Sequence, residues 1–261
     1  MAGIGIRLNK IYGKNTLTTH IIGASYSTLF TIAPMVVVIG AIIVMQALLK
    51  FSAVGFADRE LFFATVLYIF IFALLTTAPF NSVLSRYLSD VIYDETYEDI
   101  LPCYYIGMMM NVILSAGVGI PFCLREYFVG KVDALYVVTG YSGYMALVLV
   151  FYSMLYLSIC KDYIRMSAFF SMGMVCTVLL SLLFCWRLHW SVTYSMLCAL
   201  AVGLWMIAVL SLSLLRSYFR ENSGNYSKVL RYFRMYWQLI VTNFIYTLGL
   251  YIHNFVFWTT D

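Results

Sequence analysis

The run IIGASYSTLFTIAPMVVVIGAIIVMQALL, from Ile21 to Leu49, contains no Asp, Glu, Lys or Arg. A membrane-spanning helix needs about 20 apolar residues, whereas the apolar core of a secretory signal has only about 7–15. The run is therefore a membrane helix and not a cleavable leader. It is long enough to need a tilt or a kink, and Pro34 supplies a cause. A proline there removes the hydrogen bond to the Phe30 carbonyl, a defect that the nearby hydroxyls of Ser27 and Thr31 can ease.

The rest of the chain has the same character. Of its 261 residues, 63% are hydrophobic and 11% charged, and its mean hydropathy is +0.88. A soluble domain has about 45–50% apolar and about 25% charged residues. So few charges cannot cover a water-exposed surface, so the chain is an integral membrane protein. Long uninterrupted apolar runs, rather than ~10-residue alternations, make it all-α and polytopic and exclude a β-barrel. Spans are expected at 21–49, 61–80, 103–123, 135–160, 167–186, 191–215 and 236–258.

Lys and Arg in the connections set the orientation. With the N-terminus in the cytoplasm, the inner segments hold Arg7, Lys10, Lys14, Arg86, Lys161, Arg165, Arg216, Arg220, Lys228, Arg231 and Arg234. The outer segments hold only Lys50, Arg59, Arg125, Lys131 and Arg187. This bias predicts a cytoplasmic N-terminus. The net charge of +4 is distributed by this rule and does not point to nucleic acid.

Two connections are more than turns. NSVLSRYLSDVIYDETYEDIL, 81–101, places Val83, Leu84, Tyr87, Leu88, Val91 and Ile92 at helical spacing. Asp90, Asp94, Glu95, Glu98 and Asp99 fall on its other face and end. This acidic segment does not suit anionic lipid; it reads either as an extension packed on its own bundle or as a docking face for a cytoplasmic partner. RSYFRENSGNYSKVLRYFRMYW, 216–237, is a polar break followed by Lys228, Arg231 and Arg234 and then a new span. The chain starts in the same way, with Arg7, Lys10 and Lys14 before its first span. Six spans, a linker and a second basic start fit one repeat and the opening of another, a construction common in transporters.

Several short patterns carry no function. Gly3-Ile4-Gly5 lacks the strand and the third glycine of a nucleotide-binding turn, and no H-E-x-x-H, G-x-S-x-G or phosphate-loop sequence occurs. Asn225-Tyr226-Ser227 matches a glycosylation sequon on the side assigned to the cytoplasm. Cys103, Cys123, Cys160, Cys176, Cys185 and Cys198 form no C-x-x-C pair and read as small apolar packers. No metal or cofactor is expected.

The chemistry lies inside the membrane. No Asp, Glu, Lys or Arg sits within the seven runs, although proton- or sodium-coupled pumps usually place a carboxylate at membrane depth. The polar groups left there are amides, hydroxyls and His253, which suit a hydroxyl-rich ligand stripped of water. The last span concentrates them. Asn243, Thr247, Tyr251, Asn254 and Trp258 recur on one helical stripe, opposite Ile245, Leu248, Ile252 and Val256, and His253 lies about 100° round from Asn254. Asn and His in a span can glue helices together or line a path, and both roles remain open for this stripe.

The opening MAGIGIRLNKIYGKNTL, 1–17, resembles the start of the PelG family. YTLGLYIHNFVFW, 246–258, is similar to that family's seventh helix, with its aromatic–Leu-Gly–aromatic run ending in Phe-Trp. The resemblance implies a flippase-superfamily fold of about twelve helices in two six-helix bundles. On that reading residues 1–20 are a cytoplasmic segment, 21–215 a first bundle, 216–235 a linker and 236–261 the first helix of a second bundle. It further implies export of an N-acetylgalactosamine-rich exopolysaccharide across the bacterial cytoplasmic membrane. A cytosolic glycosyltransferase and further membrane subunits would be its partners, and the 81–101 segment could face them. The family often has an acidic–basic pair where this chain has His253 and Asn254, so an ion-pair gate is not expected here. Other readings are a lipid-linked oligosaccharide or drug exporter of the same superfamily, a structural scaffold for a synthase complex, and a membrane synthase or acyltransferase. The last lacks an Asp-x-Asp pair and a base beside its acidic segment.

Overall fold

The computed structural model describes residues 17–160, 163–219 and 221–257. Among them every long element is a helix: α1 (Leu17–Leu48), α2 (Phe56–Tyr93), α3 (Ile100–Phe128), α4 (Ala134–Cys160), α5 (Tyr163–Arg187), α6 (Val192–Tyr218), α7 (Tyr226–Met235) and α8 (Trp237–Phe257). Six of these, α2 to α6 and α8, are long and apolar enough to cross a membrane, and Ile32–Leu48 within α1 is a shorter apolar stretch. The protein is a multi-pass, all-helical membrane protein. α1 stays helical through Pro34. The basic residues Arg7, Lys10 and Lys14 and the aromatic Trp258 lie outside the described residues.

The packing departs from the order of the helices in the chain. α4 sits at the centre against α2, α3 and α6; α5 packs on α6, α1 packs on α5, and α8 packs on α2. Tight turns join them, and Lys50, Glu95, Lys131 and His189 take the left-handed backbone conformation that reverses the chain after a helix.

Lipid gives helices no hydrophobic reason to associate, so close backbone approach and interhelical hydrogen bonds must hold them. Both are present. α5 and α6 cross at Gly173 and Gly203, where a Cβ on Gly203 would fall 2.7 Å from the Gly173 carbonyl. Gly107 of α3 admits the Tyr152 hydroxyl of α4, which donates to the Tyr104 carbonyl at 2.7 Å and lies 2.9 Å from the Tyr156 hydroxyl. Tyr104 pairs with Ser153 at 3.2 Å, and Tyr144 reaches Thr76 at 3.3 Å and the Ser115 carbonyl at 3.2 Å. The tyrosines of the middle spans are therefore structural hydrogen-bonders as much as hydrophobes.

α2 differs most from the sequence reading, which ended a span near residue 80 and began a separate connection. The helix instead continues through Pro79 to Tyr93, 38 residues in all. At 1.5 Å per residue that is about 57 Å, against about 30 Å for the bilayer hydrocarbon, so one end stands clear of the lipid. Thr76 and Thr77 bond back to the carbonyls of Phe72 and Ala73 at 2.8 and 2.7 Å just before the proline. Beyond it, Val83, Leu84, Tyr87, Leu88 and Val91 are buried on the bundle, which keeps the extension helical.

A candidate transport path on the last helix and the clamp that sets it

Between α6 and α8 the chain makes a short amphipathic helix, α7, which the sequence reading treated as plain linker. Val229 and Phe233, one turn apart, are buried. Phe233 meets Phe80 with ring centroids 5.7 Å apart, and Tyr232 stands perpendicular to Tyr87 at 4.8 Å. The spacing of these two apolar residues among basic ones was the available signal.

Polar contacts fix α7 in place. The Asp99 carboxylate, 3% exposed between α2 and α3, accepts from Lys228 Nζ at 2.8 Å and from Ser223 Oγ at 2.5 Å. The Ser223 N–H donates to the Glu98 carbonyl at 3.2 Å. A buried carboxylate needs such a partner, because an unpaired charge away from water is costly. One turn further, the Tyr232 hydroxyl donates to Asp90 at 3.0 Å, and Arg86 lies 3.8 Å from the same carboxylate and over the Tyr236 ring. Burial, and then the hydrogen bond to Asp90 and its negative charge, push the Tyr232 phenol above the usual tyrosine range. Of the acidic residues singled out in 81–101, Asp99 and Asp90 thus turn toward the chain's own linker, while Asp94, Glu95 and Glu98 stay exposed.

The clamp sets how α8 starts and therefore which face it presents. The polar stripe faces α2. The Asn243 amide donates to the carbonyl of the Ala78–Pro79 peptide, and Thr247, 8% exposed, bonds back to the Asn243 carbonyl at 2.8 Å. Further along, Tyr251 and Asn254 are half-buried and His253 is exposed. The side chains of His253 and Asn254 pair at 3.0 Å. Ile245, Ile252 and Val256 on the opposite face are exposed. One end of the stripe is thus committed to a helix–helix bond, and the other end is open.

A cleft that the sequence reading did not anticipate lies between α2, α3 and α4, at the end of the bundle opposite the clamp. It is lined by Tyr68, Phe72, Phe122, Glu126, Tyr136 and Tyr141 among others and has a volume of about 90 Å³. Phe255 of α8 reaches its edge, 6.0 Å from the Phe72 ring. Its residues come from 61–72 and from the α3–α4 hairpin at 119–144 and share no local pattern. Among the described residues no group of three or more His, Cys, Asp or Glu side chains could hold a metal ion.

No curated protein and no solved structure matches the chain. A protein family does: PelG, described as "Putative exopolysaccharide Exporter (EPS-E)", matches over residues 1–261. That match runs from the first residue to the last and agrees with a helical bundle whose intramembrane polar groups are uncharged, and on it this chain belongs to the PelG family.

Proposed function

We propose that this chain moves an exopolysaccharide, N-acetylgalactosamine-rich in the manner of Pel, across the bacterial cytoplasmic membrane by rearrangement of helices and without covalent chemistry. α1 to α6 form a first bundle, α7 is the cytoplasmic linker, and α8 opens a second bundle that completes the path. The N-terminus is cytoplasmic, on the strength of the Lys and Arg bias between connections. A cytosolic glycosyltransferase supplies the polymer, and the exposed Asp94, Glu95 and Glu98 beside the clamp offer a face for the other subunits.

The observation that carries this reading is the split character of the α8 stripe. Asn243 and Thr247 serve as glue to α2, while Tyr251, His253 and Asn254 remain open on a helix that touches the bundle along one face only. Neutral amides, a phenol and an imidazole match sugar hydroxyls without trapping them, as a conducting path requires.

The test compares two sets of substitutions in the full-length protein, each scored for exported polymer and for the amount of chain in the membrane. Tyr251→Phe, His253→Ala and Asn254→Ala together should lower export with the chain present at normal amounts and the complex intact. Asn243→Ala should mainly lower the amount of folded chain. Full export by the triple variant would remove these residues from the path, and loss of the complex instead of export would favour a scaffold.

A further inference from the structure

We propose that the cleft between α2, α3 and α4 is a saccharide subsite that holds one sugar ring of the polymer, an inference that rests on the exporter reading. The cleft brings together the features a sugar ring needs. Its wall is aromatic: Phe122 packs against Tyr68 at 5.1 Å and against Phe72 at 4.9 Å, with Tyr141 on the opposite helix. Such rings stack on the apolar C–H face of a sugar much as they stack on one another. Its polar groups are few and convergent, as in small-molecule sites generally. They are the Glu126 carboxylate at the rim, paired with Arg125 at 3.1 Å, and the hydroxyls of Thr65, Tyr68, Tyr136, Tyr141 and Tyr144.

Tyr136 is 7% exposed, and its hydroxyl has no hydrogen-bond partner. The adjacent Thr65 hydroxyl gives its one proton to the Leu61 carbonyl at 2.7 Å. A buried phenol without a partner calls for a ligand group or a water. At about 90 Å³ the space is several times the minimum that one water needs. A lipid acyl chain would stack on the same rings but would leave the Tyr136 phenol unmatched, so the sugar is favoured.

The cleft carries its own reporter. Cys123 lines it, is partly exposed and has a free thiol. The experiment uses the full-length protein in its native membrane, with the other cysteines replaced by alanine. Alkylation of Cys123 by membrane-permeant N-ethylmaleimide is timed in cells whose polymer synthase is active and in cells whose synthase is inactive. The expected result is a several-fold slower reaction while polymer is being made. Glu126→Gln or Tyr141→Ala should abolish that protection, and because Glu126 is partly solvated its variant folds even if the tyrosine variant does not.

Equal rates in the two strains, with export intact, overturn the subsite and leave the exporter reading standing. Slow reaction in both strains means a closed or lipid-filled cleft and also overturns it. Export that continues when the protein is deleted would instead sink the exporter reading itself.

Discussion

Asp99 and Lys228 stand 129 positions apart in the chain and meet at 2.8 Å, one at the corner of α2 and α3 and the other on the helix that leads into α8. The carboxylate is nearly out of water and the ammonium is partly in it, so the pair is asymmetric. Removing the lysine strands a buried charge; removing both charges strands nothing. Lys228→Met should therefore lower the thermal midpoint in detergent by the equivalent of about 1–3 kcal/mol, and adding Asp99→Asn should recover part of the loss. A double variant no better than the single one would mean that the pair does not hold α7.

The α5–α6 crossing makes a sharper demand. A Cβ on Gly203 would collide with Thr177 Oγ1 and lie 2.7 Å from the Gly173 carbonyl, whereas one on Gly40 of α1 meets nothing within 4 Å. Gly203→Ala forces two helices apart and should cost at least ~1–3 kcal/mol, the usual size of an overpacking penalty. Gly40→Ala should be neutral or slightly stabilising. Side-by-side thermal melts of the two purified variants give the comparison.

Tyr152 offers a cleaner deletion of a single interaction. Its hydroxyl serves the Tyr104 carbonyl and the Tyr156 hydroxyl, and the ring fills space that phenylalanine fills equally well. Tyr152→Phe should lose about 0.5–1.5 kcal/mol of stability with no change in the amount of protein inserted. A melt unchanged from the parent would show that these buried hydroxyls only pack.

The clamp has an alkaline limit. In the docked state burial and Asp90 raise the Tyr232 phenol above its ordinary range, so the folded chain holds that proton more tightly than the unfolded chain. The resulting stability is fully present below about pH 10, the ordinary tyrosine value, and is lost as pH climbs above it. The thermal midpoint should fall less steeply above pH 10 in Tyr232→Phe than in the parent protein, and parallel curves would count against the assigned contact.

The sequence revealed most of the spans because lipid imposes one rule on every residue of a span, and a run such as 191–215 obeys it locally. It also revealed the buried face of 81–93: Val83, Leu84, Tyr87, Leu88 and Val91 all turn inward, and only Ile92 of the expected set stays outside. What stayed hidden depends on distant partners. The continuation of α2 through Pro79 needs the bundle that receives those five side chains. Asp99 and Asp90 read as surface charges because nothing near them in the chain announces Lys228 or Tyr232. The division of the α8 stripe into a bonded and an open part follows from the position of Ala78, and the cleft from three helices brought side by side.

α2 meets the clamp near Asp90, α8 at Ala78 and the aromatic cleft at Tyr68 and Phe72, all on one unbroken helix. A helix shared in this way gives the three places a common element, and any coupling between them is reciprocal. If occupation of the cleft changes how firmly the linker helix docks, then docking of the linker, or of anything that grips it, must change affinity at the cleft by the same factor. A partner gripping the linker and a ligand held in the cleft would then read each other through a single lever.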